Sequence, residues 1–190
     1  IAASRGGGDE MTHPGAPDPE LIEMLRAVGV RAIVSDVDGT LTDGSLYTTS
    51  DGHVMRRFTT VDGMGHNVLH NAGVRIAWLS ATSEGASVAR RAEMLRVRHI
   101  DTGSGDKAPR FRALCEEMGV EAARTLYIGD DINDLPAMAL AARSFCPSDA
   151  HRAVASAVDR VLTRPGGHGA FRELADAVML ALGKDAAAHV

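Results

Sequence analysis

Six short apolar runs, RAIVSD, VRIAWLS, RVRHID, RTLYIGD, RSFCP and VDRVLT, recur from Arg31 onward with amphipathic stretches between them, and this alternation constrains the fold most. Runs this short, apolar without a strict polar alternation, read as strands buried on both faces. Parallel neighbours need a crossover between them, and a helix supplies it. Helices are expected at 62–71, 83–95, 107–118, 134–141, 149–157 and 169–182, with Gly73 and Gly119 where C-terminal caps are needed. Asp18 and Pro19 offer an N-cap and a first-turn proline to a further helix, PELIEMLRAV, that Gly29 can end. The rhythm breaks once. GSLYTTSDGHVMRRF, from Gly44 to Phe58, has Ser-Asp-Gly between strand formers and reads as a projecting β-hairpin. The expected fold is α/β, a central, mostly parallel sheet with helices on both faces.

At 190 residues the chain suits one domain, expected over 18–183. Residues 1–17, rich in Gly and Pro and without hydrophobic periodicity, read as a flexible leader, and 184–190 as a flexible tail. The formal charge of −5 leaves no excess of cations to neutralise phosphates, which argues against nucleic acid or an anionic membrane as partner. No apolar run approaches the roughly 20 residues of a membrane span. A cytoplasmic location and a small-molecule substrate are expected. Cys115 and Cys146, far apart and without C-x-x-C spacing, read as buried thiols.

Against this background the stretch IVSDVDGTLTDG is anomalous, because it places Asp36 and Asp38 at the end of a buried strand. Residues two apart in a strand share a face, so the two carboxylates can converge. Such a pair is tolerable if a cation compensates it or one carboxyl is protonated, and both conditions serve phosphoryl transfer. On this stretch alone, ordinary turn chemistry explains Asp and Gly equally well. Three later features follow at strand ends or helix starts: Ser80 in WLSAT, Lys107 in GSGDKAP, and Asp130, Asp131 and Asp134 in YIGDDINDLP.

In this order the four motifs resemble those of the haloacid dehalogenase superfamily of phosphohydrolases, over roughly residues 32–182. The resemblance implies a Rossmann-like fold and a Mg²⁺-dependent phosphomonoesterase. Asp36 would be the nucleophile that forms an aspartyl phosphate, and Asp38 the acid and then base. Ser80 would bond a phosphoryl oxygen, and Lys107 would offset negative charge. Asp36, the main-chain carbonyl of Asp38, and Asp130 match the metal ligands. Asp131 and Asp134 would orient waters, Lys107 or the loop, Asp134 serving equally as an N-cap, and Gly39 and Thr40 would shape the nucleophile loop.

Only the hairpin fills the interval after the first motif, and Ser80 to Lys107 has room for one helix, one strand and a loop, so no cap domain fits. DVDGTLTDGSLYTTSDG, RRFTTVDGMG, GDDINDLPAM and GGHGAFRE are similar to the capless subfamily of 3-deoxy-D-manno-octulosonate 8-phosphate phosphatases, nonulosonate 9-phosphate phosphatases and phosphatase-like domains of acylneuraminate cytidylyltransferases. That similarity implies a homotetramer closed through the hairpins and a phosphorylated sugar or sugar acid as substrate. Ser80-Ala81-Thr82 and Gly166-Gly167-His168-Gly169 depart from the octulosonate pattern, which has arginine in place of Thr82 and His168 and so a bidentate carboxylate clamp. The departures shift weight from octulosonate 8-phosphate toward another sugar or sugar-acid phosphate. Arg56, Arg57, Asp62, His168 and Arg172 are candidates for substrate or subunit contacts. His66 and His70 have metal-ligand spacing without a third ligand and read as an exposed helix face. Met64 and Met138 read as packing residues. A noncatalytic module partnering a nucleotidyltransferase, which would need none of these carboxylates, and a phosphoprotein phosphatase are the competing readings.

Overall fold

The computed structural model describes residues 18–82 and 85–190; the expected leader, 1–17, lies outside them, as do two residues of the helix expected at 83–95. Helix α1 (Pro19–Val28) starts where the Asp18 carboxylate accepts from the Glu20 N–H at 2.9 Å, and it ends at Gly29 in the left-handed conformation. The chain continues through β1 (Ala32–Ser35), β2 (Thr42–Thr48), β3 (Val54–Phe58), α2 (Thr60–Asn71), β4 (Arg75–Ser80), α3 (Ala86–Met94) and β5 (His99–Thr102). After α4 (Lys107–Met118) come β6 (Thr125–Ile128), α5 (Leu135–Met138), β7 (Arg143–Cys146), α6 (Arg152–Ala155), β8 (Arg160–Val161) and α7 (Ala170–Ala181).

The strands form one sheet in the order β5-β4-β1-β6-β7-β8, every pairing parallel. Strand β1 is central: Ile33 lies level with Ile76 on one side and Leu126 on the other. Alternate residues feed two cores. Ile33, Trp78 and Leu126 pack with Leu25 of α1, Leu69 of α2 and Phe171 of α7, while Val34, Leu79 and Tyr127 pack with Phe111 and Leu114 of α4. Burial on both faces explains why these strands lack polar alternation.

Local chemistry shortens two of the expected helices. In place of 134–141, a 3-10 turn (Ile132–Asp134) runs into α5, with Asp131 rather than Asp134 as the N-cap. In place of 149–157, α6 starts only after His151, whose ring accepts from the Ala153 N–H. The expected flexible tail is instead packed: Lys184 Nζ donates to the Ala72 carbonyl at 2.6 Å, and a 3-10 turn (Ala186–His189) accepts from Asn71 Nδ2 at 2.9 Å.

The histidine expectation also fails for one residue. His66 is buried, stacked on Phe171 at 4.0 Å, with Nδ1 2.7 Å from the Asp62 carbonyl and Nε2 3.0 Å from Trp78 Nε1. Indole N–H can only donate, so His66 Nε2 accepts and Nδ1 carries the proton. Burial lowers its pKa to about 4, so the ring is neutral. His70 is exposed, as expected. Cys115 and Cys146 are buried free thiols, Met138 is buried and Met64 packs against the core.

Strands β2 and β3 pair antiparallel as the hairpin, with an irregularity between Thr42 and Leu46. Among the described residues no domain is inserted between Ser80 and α3.

Candidate active site

Strand β1 stops at Ser35, so Asp36 and Asp38 belong to a tight loop, not to an extended strand. The Val37 carbonyl accepts from the N–H groups of Leu41 and Thr42, and the buried Val37 side chain anchors the loop in the core. Gly39 is required at the apex. Its φ is +93°, and a Cβ there would lie 2.1 Å from Asp130 Oδ2. Thr40 Oγ1 donates to Asp130 Oδ1 at 3.0 Å, tying this loop to the one after β6. A third loop closes on both: a Cβ on Gly166 would lie 1.8 Å from the Gly39 carbonyl, and Gly167 N–H donates to the Thr40 carbonyl at 3.0 Å.

Lys107 begins α4 just after its N-cap Asp106, and its side chain is 1% exposed. Its Nζ donates to Asp36 Oδ1 at 2.5 Å and to Asp134 Oδ1 at 2.6 Å. Burial opposes its charge, but the two carboxylates outweigh burial and hold its pKa above the usual lysine value. Oxygens of Asp36, Asp130 and Asp134 all lie within 4.8 Å of one another. Burial, and then the neighbouring Asp134 charge, push Asp36 well above the ordinary carboxylate range and Asp130 up to about 6. One ammonium against three carboxylates leaves uncompensated negative charge.

Asp36 and Asp130, with Asp38, line a cleft of about 380 Å³ at the C-terminal ends of the strands, where open α/β sheets bind ligands. Ser80 lines it, and because its Oγ accepts from the Thr82 N–H at 3.2 Å, its own hydrogen is available to a ligand oxygen. From β3, Arg56 reaches into the cleft: Nε and Nη2 donate to the Asp38 carboxylate at 2.6 and 3.3 Å, Nη2 also to Thr82 Oγ1 at 2.7 Å, and Nη1 to Ser87 Oγ at 2.8 Å.

Residues 64–142 match the family model described as haloacid dehalogenase-like hydrolase. The 3-deoxy-D-manno-octulosonate 8-phosphate phosphatase KdsC of Haemophilus influenzae is 39% identical over 155 residues, 82% of this chain and 86% of that protein. The chain belongs to the haloacid dehalogenase-like hydrolases. Solved hydrolases of this kind share its fold. The cobalt-bound octulosonate 8-phosphate phosphatase of H. influenzae superposes with a TM-score of 0.80 at 37% identity, covering 83% of this chain and 92% of that one. The Moraxella catarrhalis enzyme in complex with magnesium, phosphate and KDO gives 0.80 at 31%, covering 85% and 91%.

The donor set of this hydrolase fits Mg²⁺, a hard cation that prefers oxygen ligands. Asp36 and Asp130 each keep an oxygen outside the Lys107 and Thr40 bonds. Asp134 does not: one oxygen accepts from Lys107 and from Tyr127 Oη at 2.7 Å, the other from the N–H groups of Asp130 and Asp131 at 3.1 and 3.2 Å. Its geometry is that of an orienting group. Asp131 and Asn133 line the cleft mouth.

The outlying candidates divide. Arg56, expected as a substrate or subunit contact, lines the cleft. Arg57 is exposed and lies 3.4 Å from Asp43, the Gly167 carbonyl and His168. Asp62 is no substrate ligand within this chain: it is buried and accepts from the N–H groups of Gly169 and Arg172 at 3.2 and 2.9 Å, capping α7. Arg172 pairs with Asp176 at 2.7 Å beside a different cavity, of about 560 Å³. Thr82, noted above as a departure, is a partner of Arg56, and Ser87 and Tyr127 are partners the sequence does not single out. Only Tyr127 carried a signal, a phenol in a buried strand that needs an acceptor.

Proposed function

We propose that this hydrolase is a Mg²⁺-dependent phosphomonoesterase acting on a sugar-acid phosphate of the octulosonate type. The single observation that carries the reading is Lys107 buried between Asp36 and Asp134 beside Asp130, within reach of Ser80's cleft. A noncatalytic scaffold has no use for a site that concentrates like charges. The names of the relatives support the substrate class, and 3-deoxy-D-manno-octulosonate 8-phosphate is the first compound to assay.

Asp36, oriented by Lys107, attacks phosphorus as the bond to the sugar oxygen breaks, giving an aspartyl phosphate and an alcohol that takes its proton from Asp38. Water then attacks the phosphorus, Asp38 accepts its proton, and Asp36 and inorganic phosphate are released. The Arg56 pair holds the Asp38 carboxylate as an acceptor, the arrangement of the second step. Ser80 Oγ and Lys107 Nζ supply hydrogen bonds and charge to the phosphoryl oxygens. Mg²⁺ held by Asp36, Asp130 and the Asp38 carbonyl would supply further positive charge against those oxygens.

The cleft is closed by a second copy of the chain in a homotetramer. Leu46, Tyr47 and Met55 are all more than half exposed on the hairpin, which supports burial of this face between subunits. A panel of sugar phosphates with and without Mg²⁺, alongside Asp36→Asn, tests the activity. Release of no phosphate by the wild-type chain from any of them would overturn it. Light scattering tests the assembly, for which Tyr47→Asp should give a smaller species; a wild-type monomer would refute it.

A further inference from the structure

Every strand of the six-stranded sheet starts at an arginine or immediately after one. Arg75, Arg143 and Arg160 are the first residues of β4, β7 and β8, and Arg31, Arg98 and Arg124 immediately precede β1, β5 and β6. In a parallel sheet these all lie at one edge, opposite the catalytic loops. Backbone bonds join the central three, Arg75 N to Arg31 O at 3.0 Å and Arg31 N to Arg124 O at 2.9 Å. At a strand spacing of about 4.8 Å, their side chains are rooted within about 10 Å.

Arg143 and Arg160 pair with Asp159 and Asp18, and Arg75 donates to the Met118 and Gly119 carbonyls at the end of α4. Arg31, Arg124, Arg98 and the nearby Arg96 are exposed, and among the described residues their side chains form no ion pair or hydrogen bond. Two adjoining hollows share Gly73 and Arg75. One, of about 520 Å³, meets Arg31 and Arg124; the other, of about 290 Å³, meets Arg96, Arg98, His70 and His99. The carboxylates here are Glu121, in the first hollow, and Glu117, 3.6 Å from His99.

Residue type alone carries no weight, since Lys107 and Lys184 are the only lysines in the chain. Position and conformation do. Helices α1 to α4 end at this edge, and arginines there can offset their negative C-terminal dipoles. Arg75 does so; the other four reach no carbonyl. Arg96 moreover has φ of 59°, the one non-glycine residue in the left-handed region among those described, where glycine would be less strained.

We propose that this groove is a second anion site, taking a small oligophosphate: an inorganic tripolyphosphate chain or the triphosphate of a nucleotide. Hollows of this size suit a small ligand, and guanidinium groups in a row suit successive phosphates. The larger hollow has only Val120 as an apolar lining residue, too little to anchor a peptide.

The test is calorimetric titration of the full chain with sodium tripolyphosphate, in chelator and at matched ionic strength. Binding with a dissociation constant below ~1 mM is expected. The double variant Arg31→Ala, Arg124→Ala and the single variant Arg96→Gly should each weaken it about tenfold, and Asp130→Asn in the catalytic cleft should leave it unchanged. Arg96→Gly should also raise the melting temperature by roughly 2–4 °C, so that lost binding cannot be lost folding. A nucleoside triphosphate that binds more tightly than the bare chain assigns the nucleotide source; equal binding assigns the phosphate chain alone. No binding at ~1 mM, binding indifferent to the arginine substitutions, or tighter binding of a Glu-rich peptide of equal charge would overturn the proposal.

Discussion

At Asp36 the chain holds a carboxylate where burial and two neighbouring carboxylates oppose its charge, with Lys107 as the offset. Replacing it with Asn removes the nucleophile but keeps its shape. Asp36→Asn should reduce phosphate release by at least about 10³-fold while the chelated protein melts no lower than wild type. A variant that melts several degrees lower would mean the Lys107 bond matters more to folding than the charge repulsion it offsets. His66 gives a residue-scale test of a different kind. Its folded pKa, about 4, lies below the ordinary value of 6.5, so between them the unfolded chain binds the extra proton. The folded state is therefore penalised as pH falls from about 6.5 to 4, by roughly 3 kcal/mol in all. Asp62, raised by burial, has the opposite sign, contributing stability at low pH that is lost as pH rises through its folded value. Denaturant melts of wild type and His66→Gln separate the two: the variant should lose the steeper decline below pH 6.5 and keep the rest.

Among the elements, the hairpin connects assembly to chemistry, because β3 carries both the exposed Met55 and the buried guanidinium of Arg56. Arg56→Ala should lower kcat about tenfold or more by freeing the Asp38 carboxylate, and Arg56→Lys should recover part of it without restoring the bidentate geometry. Steady-state kinetics decide; an unchanged kcat in Arg56→Ala would make the pair incidental. Element by element, the parallel sheet was legible because its strands are short and the central ones, β1, β4 and β6, are buried almost throughout, and Lys107 to Met118 because Asp106 and Gly119 bracket it. Helix α2 misled at His66 for a physical reason. A Cβ on Gly65 would lie 3.2 Å from Arg172 Cα and Ala175 Cβ, so α7 packs directly on that glycine and buries the polar side chain beside it. Glycine lets helices approach closely but carries almost no hydrophobic signal. Arg56 stood out as a candidate contact, but its pairing was illegible because its partners, Asp38, Thr82 and Ser87, are 18, 26 and 31 residues distant and meet only in the folded chain.

For the whole molecule, the acidic cluster couples metal binding to stability. A ligand that binds only the folded state adds about 2.7 kcal/mol at a hundred times its dissociation constant. Saturating Mg²⁺ should therefore raise the melting temperature over that in chelator by roughly 5–10 °C. Asp130→Asn should abolish that shift while melting higher than wild type in chelator. Absence of a shift in the wild type would contradict the metal site.

The contact of Gly166 and Gly167 with the nucleophile loop has a bearing on biosynthesis. A ribosome delivers Asp36 well before the backbone that presses on Gly39 and donates to the Thr40 carbonyl. Nascent chains thus carry the nucleophile before its cradle is finished, and the loop at Gly166 and Gly167 completes the packing around it.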